Sequence, residues 1–103
     1  MPHSPVKLEV QRIARHLEAA VNAGDLDAAR GHLSETFRER DHELDDLLGR
    51  TERAELIGTV ATRTLLQLRL RNDDPRVVEL LWHRHHGDWL VEDCRVFSLI
   101  PGE

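Results

Sequence analysis

The apolar residues of this chain change their spacing partway along it. Up to about residue 60 they recur every three or four positions, and from Leu66 onward they alternate with polar ones. A period near 3.6 places side chains on one stripe of a helix, and a period of two places them on one face of a strand. Helices first and strands afterwards leave few solutions. The chain is expected to be α+β, with its helices packed against one face of an antiparallel sheet.

The first helix is expected to start at Ser4-Pro5, a hydroxyl N-cap followed by a proline whose missing N–H costs nothing at the first helical position. Val6, Val10, Ile13, Ala14, Leu17, Ala20 and Val21 form its inner stripe, and Asn22-Ala23-Gly24 ends it. Asp25 can cap a second helix with Leu26, Ala29, Leu33 and Phe37 on one side. Residues 38–50, "RERDHELDDLLGR", fit a short strand, a helical turn or a mobile loop. Thr51 reads as the cap of a third helix facing inward through Leu56, Ile57 and Val60. Leu66, Leu68 and Leu70 then alternate with Gln67, Arg69 and Arg71, a half-buried strand. "NDDP" at 72–75 is a turn by composition. Val77 to His86 and Trp89 to Ile100 are two longer strands, with Gly87-Asp88 as the tight loop between them.

With 103 residues the chain makes one domain, 1–103. A domain of this size buries only about two-thirds of its unfolded surface, so association that covers apolar area would help it. Nineteen acids against 14 bases give a net charge of −5, which argues against a nucleic-acid partner. Cys94 is the only cysteine, so neither an intramolecular disulfide nor a Cys-based zinc site can form within one chain. No apolar stretch approaches the roughly 18 residues of a membrane span, so no membrane role and a cytoplasmic location are the expectations.

Three stretches, "NAGDLDAARGHLSETF" after the opening helix, "GRTERAELI" in the middle and "GDWLVEDCRVF" near the end, resemble the nuclear transport factor 2-like superfamily. That superfamily includes SnoaL-like polyketide cyclases and ketosteroid isomerases. The resemblance implies a cone-like α+β barrel, a curved antiparallel sheet wrapped around helices with a pocket at the open end. It also implies frequent dimerisation through the sheet. It does not imply one activity, because the same cone hosts isomerases, dehydratases, cyclases, epoxide hydrolases and binding domains.

"WHRHHGDWLVED", residues 82–93, concentrates the polar chemistry of the chain. With Gly87-Asp88 as the loop, strict alternation puts Val78, Leu80, Trp82, Arg84 and His86 on one face, opposite Trp89, Val91, Asp93, Arg95 and Phe97. His83 and His85 share the other face with Glu79, Leu81, Leu90, Glu92 and Cys94. The Trp-bearing face is expected to line the cone. Trp82, Trp89, Asp93, Arg95 and Phe97 are then the candidate ligand-binding residues, and Asp93 and Arg95 the candidate catalytic ones. A carboxylate in an apolar pocket can act as an acid or base, and an adjacent Arg can hold an anionic group. The plainer reading is a cross-strand Asp93–Arg95 pair at a rim or seam, with two core tryptophans.

His83 and His85 at i, i+2 can share an ion with Glu92, but a catalytic site usually has three protein ligands. No tightly bound metal and no cofactor are expected, and Cys94 is expected to be buried and inert. Steroid isomerisation fits poorly, because the family's oxyanion hole includes a tyrosine and this chain has none. An Asp–Arg–Asp hydrolase would need Asp45 or Asp46 to join Asp93 and Arg95. Three functions stay open: a homodimeric SnoaL-like binder of a small hydrophobic molecule, a lyase, isomerase or hydrolase acting on such a molecule, and an interaction module whose cone is filled by its own side chains.

Overall fold

In the computed structural model, residues 5–98 form four helices followed by a four-stranded antiparallel sheet. The expected Ser4 cap and the strand end at Ile100 lie outside these described residues. Helix α1 (Pro5–Asn22) buries Val10, Ala14, Leu17 and Val21, with Val6, Ile13 and Ala20 packed beside them. It stops as the sequence suggests. Gly24 takes φ +75°, and the N–H groups of Gly24 and Asp25 return to the carbonyls of Val21 and Ala20. That pairing satisfies carbonyls a helix end leaves open. The Asp25 carboxylate then accepts from Ala28 N at 3.1 Å and starts α2 (Leu26–Arg30).

The second expected helix is two helices. Between them the backbone at 32–34 pairs with the last strand: Val91 N donates to His32 O at 2.8 Å and Ser34 N to Val91 O at 3.0 Å. Ser34 Oγ caps α3 (Glu35–Arg40) through Phe37 N at 3.0 Å. Ala29, Leu33 and Phe37 all reach the core, as their spacing implies. The segment 38–50 contains the end of α3 and the whole of α4 (Glu43–Arg50), which buries Leu44, Leu47 and Leu48.

The third expected helix is absent. Residues Thr51–Val60 are strand β1, with Ala54 and Leu56 inward while Ile57 and Val60 are exposed. Two physical reasons favour the strand. Ile57, Gly58, Thr59 and Val60 are weak helix formers, and three of the four are β-branched. The leucine row of β2 (Arg63–Leu70) also needs a ladder partner, which β1 supplies in register Ala54↔Leu68 and Leu56↔Leu66. Thr51 does act as a cap, but of the preceding helix: its hydroxyl donates to Leu47 O at 2.7 Å.

β3 (Arg76–His85) and β4 (Asp88–Ser98) complete a meander in the order β1-β2-β3-β4. The helices cover one face, where Leu66, Leu68, Leu70, Val78, Leu80, Trp82 and Val91 join the helical side chains in one core. The sheet is open. One exposed edge is blunted by α1: Asn22 exchanges two hydrogen bonds with the backbone of Ala54 (3.0 and 2.7 Å), and Glu18 accepts from Leu56 N at 2.7 Å. Edge groups satisfied this way cannot recruit another strand.

Candidate functional site

The β3–β4 hairpin carries every candidate site residue, and two local features decide where each one points. The turn is His86-Gly87 rather than Gly87-Asp88. His86 and Gly87 have φ of 50° and 89°, and His85 pairs with Asp88. Two successive positive φ values are the geometry that matches strand twist in a two-residue hairpin. This alone shifts each partner by two residues, as from Val91 to Trp89 opposite Arg84, without changing which residues share a face.

The second feature is a β-bulge. Trp82 pairs with Val91 and Leu81 with Asp93, so Glu92 is an extra residue in β4. An extra residue inverts the alternation of everything beyond it. Val91 points into the core, and so do Cys94 and Val96. Asp93, Arg95 and Phe97 therefore turn to the outer face, away from the helices, and all three are exposed. The expectation that they share the Trp82 face is corrected by this one inserted residue.

Trp82 and Trp89 do share the inner side. Trp82 has no accessible surface, and its Nε1 donates to Thr64 Oγ1 at 2.9 Å. The edge of the His32 ring meets it, with centroids 6.2 Å apart. Trp89 sits nearer the hairpin tip and is half-buried under the Arg84 guanidinium, 4.9 Å above its ring. Arg84 in turn pairs with Glu9 of α1 at 2.8 Å. Thr64 was not singled out from the sequence. Its only signal there is its place two residues before Leu66 on the inward row.

On the outer face, Asp93 and Arg95 do not pair with each other. The Asp93 carboxylate accepts from Cys94 N at 2.9 Å. Arg95 approaches Glu79 at 4.0 Å, and Arg63 approaches the same Glu79 oxygen at 4.0 Å. These residues, with Leu81 and Cys94, line an open concavity of about 240 Å³. Asp45 and Asp46 lie on the helical side and are bound to Arg30 and Arg50, so no Asp–Arg–Asp set forms with Asp93. Arg30 and Asp45 also border a second concavity of about 490 Å³ with Glu35, Arg38, Glu39 and His42. Its walls are charged side chains from the stretch expected to be a solvated surface.

Burial pushes the Cys94 thiol up to about 12, helped by the nearby carboxylates of Asp41, Glu43, Asp93 and Glu79. The thiol is therefore protonated at neutral pH and is a poor nucleophile. Burial also lowers the His32 imidazole below its ordinary 6.5, with His16 adding repulsion. A lowered folded-state value means that the unfolded chain takes up this proton first. The contribution of His32 to stability is therefore present above pH 6.5 and is lost as pH falls below it, through the depressed value. The urea midpoint is expected to drop between pH 7.5 and 5.5, and His32→Gln to flatten that drop. An unchanged slope in the variant would remove His32 as the cause.

His83 and His85 lie on the outer face with ring centroids 6.2 Å apart, and His86 is in the turn. Among the described residues no three His, Cys, Asp or Glu side chains converge on one point. No described helix is long and apolar enough to cross a membrane. Comparison of the sequence with models of known protein families, and with curated proteins, finds no match.

Proposed function

We propose that this chain is a non-catalytic interaction module of the nuclear transport factor 2-like kind, which keeps its interior filled and works as a homodimer through the outer face of its sheet. The filled interior carries this reading. A ligand pocket needs accessible walls, and Val10, Ala14, Thr64, Leu68, Trp82 and Val91 have none. A core closed in this way offers a metabolite no reachable space among these side chains.

The order of elements, helices and then a meander, supports the superfamily likeness. The parallel bridge between Leu33 and Val91 adds one strand-like contact beside β4. The register shifts after Leu56 and Leu81 support a curved, cone-like sheet, because bulges bend the strands that carry them.

The outer face supports the dimer. Leu65, Val77, Leu81 and Leu90 are partly exposed there and Phe97 is 44% exposed. At its centre Arg63 and Arg95 balance Glu79 and Asp93, so two copies meet without net repulsion although the whole chain carries −5. Light scattering at micromolar concentration is expected to give twice the chain mass of 11.9 kDa. Leu81→Arg, at the middle of the face, is expected to give a folded monomer. A wild-type monomer at every concentration would defeat the proposal.

A small-molecule role would rest on open surface concavities, such as the one between Arg63, Glu79, Asp93 and Arg95 and the larger one of about 490 Å³ beside Arg30, Arg38, His42 and Asp45. Both suit a small charged group better than the hydrophobic ligand implied by an apolar cone. The outer-face one, at about 240 Å³, is also smaller than the roughly 300–1,000 Å³ of ordinary ligand pockets.

A further inference from the structure

We propose that His83, His85 and Glu92 bind a divalent transition-metal ion of the zinc class on the outer face of the β3–β4 hairpin. The two histidines stand two residues apart on β3 and so project to the same side. Glu92 reaches toward them from the bulge in β4, where the extra residue frees its side chain from the regular alternation.

The carrying observation is the pair His85 Nε2 and Glu92 Oε1. Both atoms are inaccessible although their side chains are partly exposed, and neither makes a hydrogen bond. They meet only at ion-pair distance, 3.4 Å, a contact that needs a protonated imidazole. Buried polar atoms in folded proteins are nearly always paired. A charge-assisted hydrogen bond between them would bring them to about 2.7–2.9 Å. The observed spacing is that of two ligands on one ion: bonds of about 2.0–2.2 Å opened to the tetrahedral angle hold their donor atoms roughly 3.3–3.5 Å apart. Imidazole nitrogen and carboxylate oxygen are ordinary zinc donors.

The pair supplies one edge of the tetrahedron, and no third donor is already in place. His83 is exposed, and its ring lies 6.2 Å from that of His85. Rotation of its side chain brings a second imidazole to the ion, and water takes the remaining position. Such a site is assembled by the metal rather than preformed. It lies on the opposite side of the sheet from the core, so the fold does not depend on it. All three ligands come from one chain, but His83 pairs with Leu90 on the face assigned to the dimer, so light scattering with and without Zn²⁺ accompanies the binding measurement.

Titration calorimetry of tag-free protein with Zn²⁺ tests this, with Co²⁺ as a spectroscopic stand-in. The expected result is one ion per chain and the visible bands of four-coordinate Co²⁺. His83→Gln, His85→Gln and Glu92→Gln should each weaken binding by at least tenfold, since even groups behind the ligands cost about that much. His86→Gln, in the turn, should leave binding unchanged, and circular dichroism should show every variant folded. Absence of stoichiometric binding to the wild type, or binding that survives both His85→Gln and Glu92→Gln, would overturn the proposal.

Discussion

Trp82→Ala is expected to lower unfolding stability by about 3–5 kcal/mol, the range for truncating a fully buried large aromatic. The whole stability of a domain like this is on the order of 5–15 kcal/mol, so the variant should sit near the edge of folding at room temperature. The argument has three parts. The indole has no accessible surface. Its contacts come from His32 between α2 and α3, Thr64 on β2 and Val91 on β4, so separate elements would all have to move to fill the void. Its removal also strips the Thr64 hydroxyl of its partner in a buried place. Trp82→Phe separates the last effect, and should cost about 1–3 kcal/mol for the unpaired hydroxyl together with lost packing. Urea unfolding measures both. Were Trp82 instead the wall of an open ligand pocket, its truncation would enlarge existing space and cost far less. A loss under about 1 kcal/mol would therefore refute the filled interior and restore the pocket reading.

What the sequence disclosed, and what it hid, follows from how each element is specified. α1 was legible because a four-turn stripe, a starting proline and a terminal glycine agree with one another. β2 was legible because three leucines alternate with polar residues without interruption. α4 was obscured by charge: three leucines at i, i+3 and i+4 carry its burial, but acids and arginines surround them. β1 was misread because Leu56, Ile57 and Val60 happen to fit a helical period. The hairpin with β2 decides the matter: Leu56 pairs with Leu66 and Ala54 with Leu68, and a helical-period count over 51–60 alone does not see that pairing. The candidate site failed for a narrower reason. The composition of the hairpin and the pairing of its two tryptophans on one face were both readable. The extra residue at Glu92 was not, because a bulge leaves no fixed mark in composition, and every face assignment beyond it inverts.

Deleting Glu92 should therefore leave a chain that still unfolds cooperatively, whereas deleting Cys94, two residues on, should cost several kcal/mol. Glu92 is the residue that β4 holds in excess, between the pairs Trp82↔Val91 and Leu81↔Asp93. Its removal joins those two pairs into a regular ladder. Strict alternation from Val91 then keeps Asp93 and Arg95 on the outer face and Cys94 and Val96 against the core, where they already are. What goes is the local kink, the contact of Glu92 with His85, and the Glu92 carbonyl that accepts from Arg40 Nη2 at 2.7 Å. Deleting Cys94 has no such neutral outcome. If the bulge is kept, Arg95 takes the inward position opposite Leu80, and if the strand absorbs the bulge, Asp93 takes it. Turning either ion toward an apolar interior costs several kcal/mol, which is comparable to the total stability of a small domain. Circular dichroism and urea melts on the two variants decide the point. A Glu92-deleted chain that fails to fold, or a Cys94-deleted chain that melts near the wild-type midpoint, would show that the inserted residue does not set which side chains of β4 face the core.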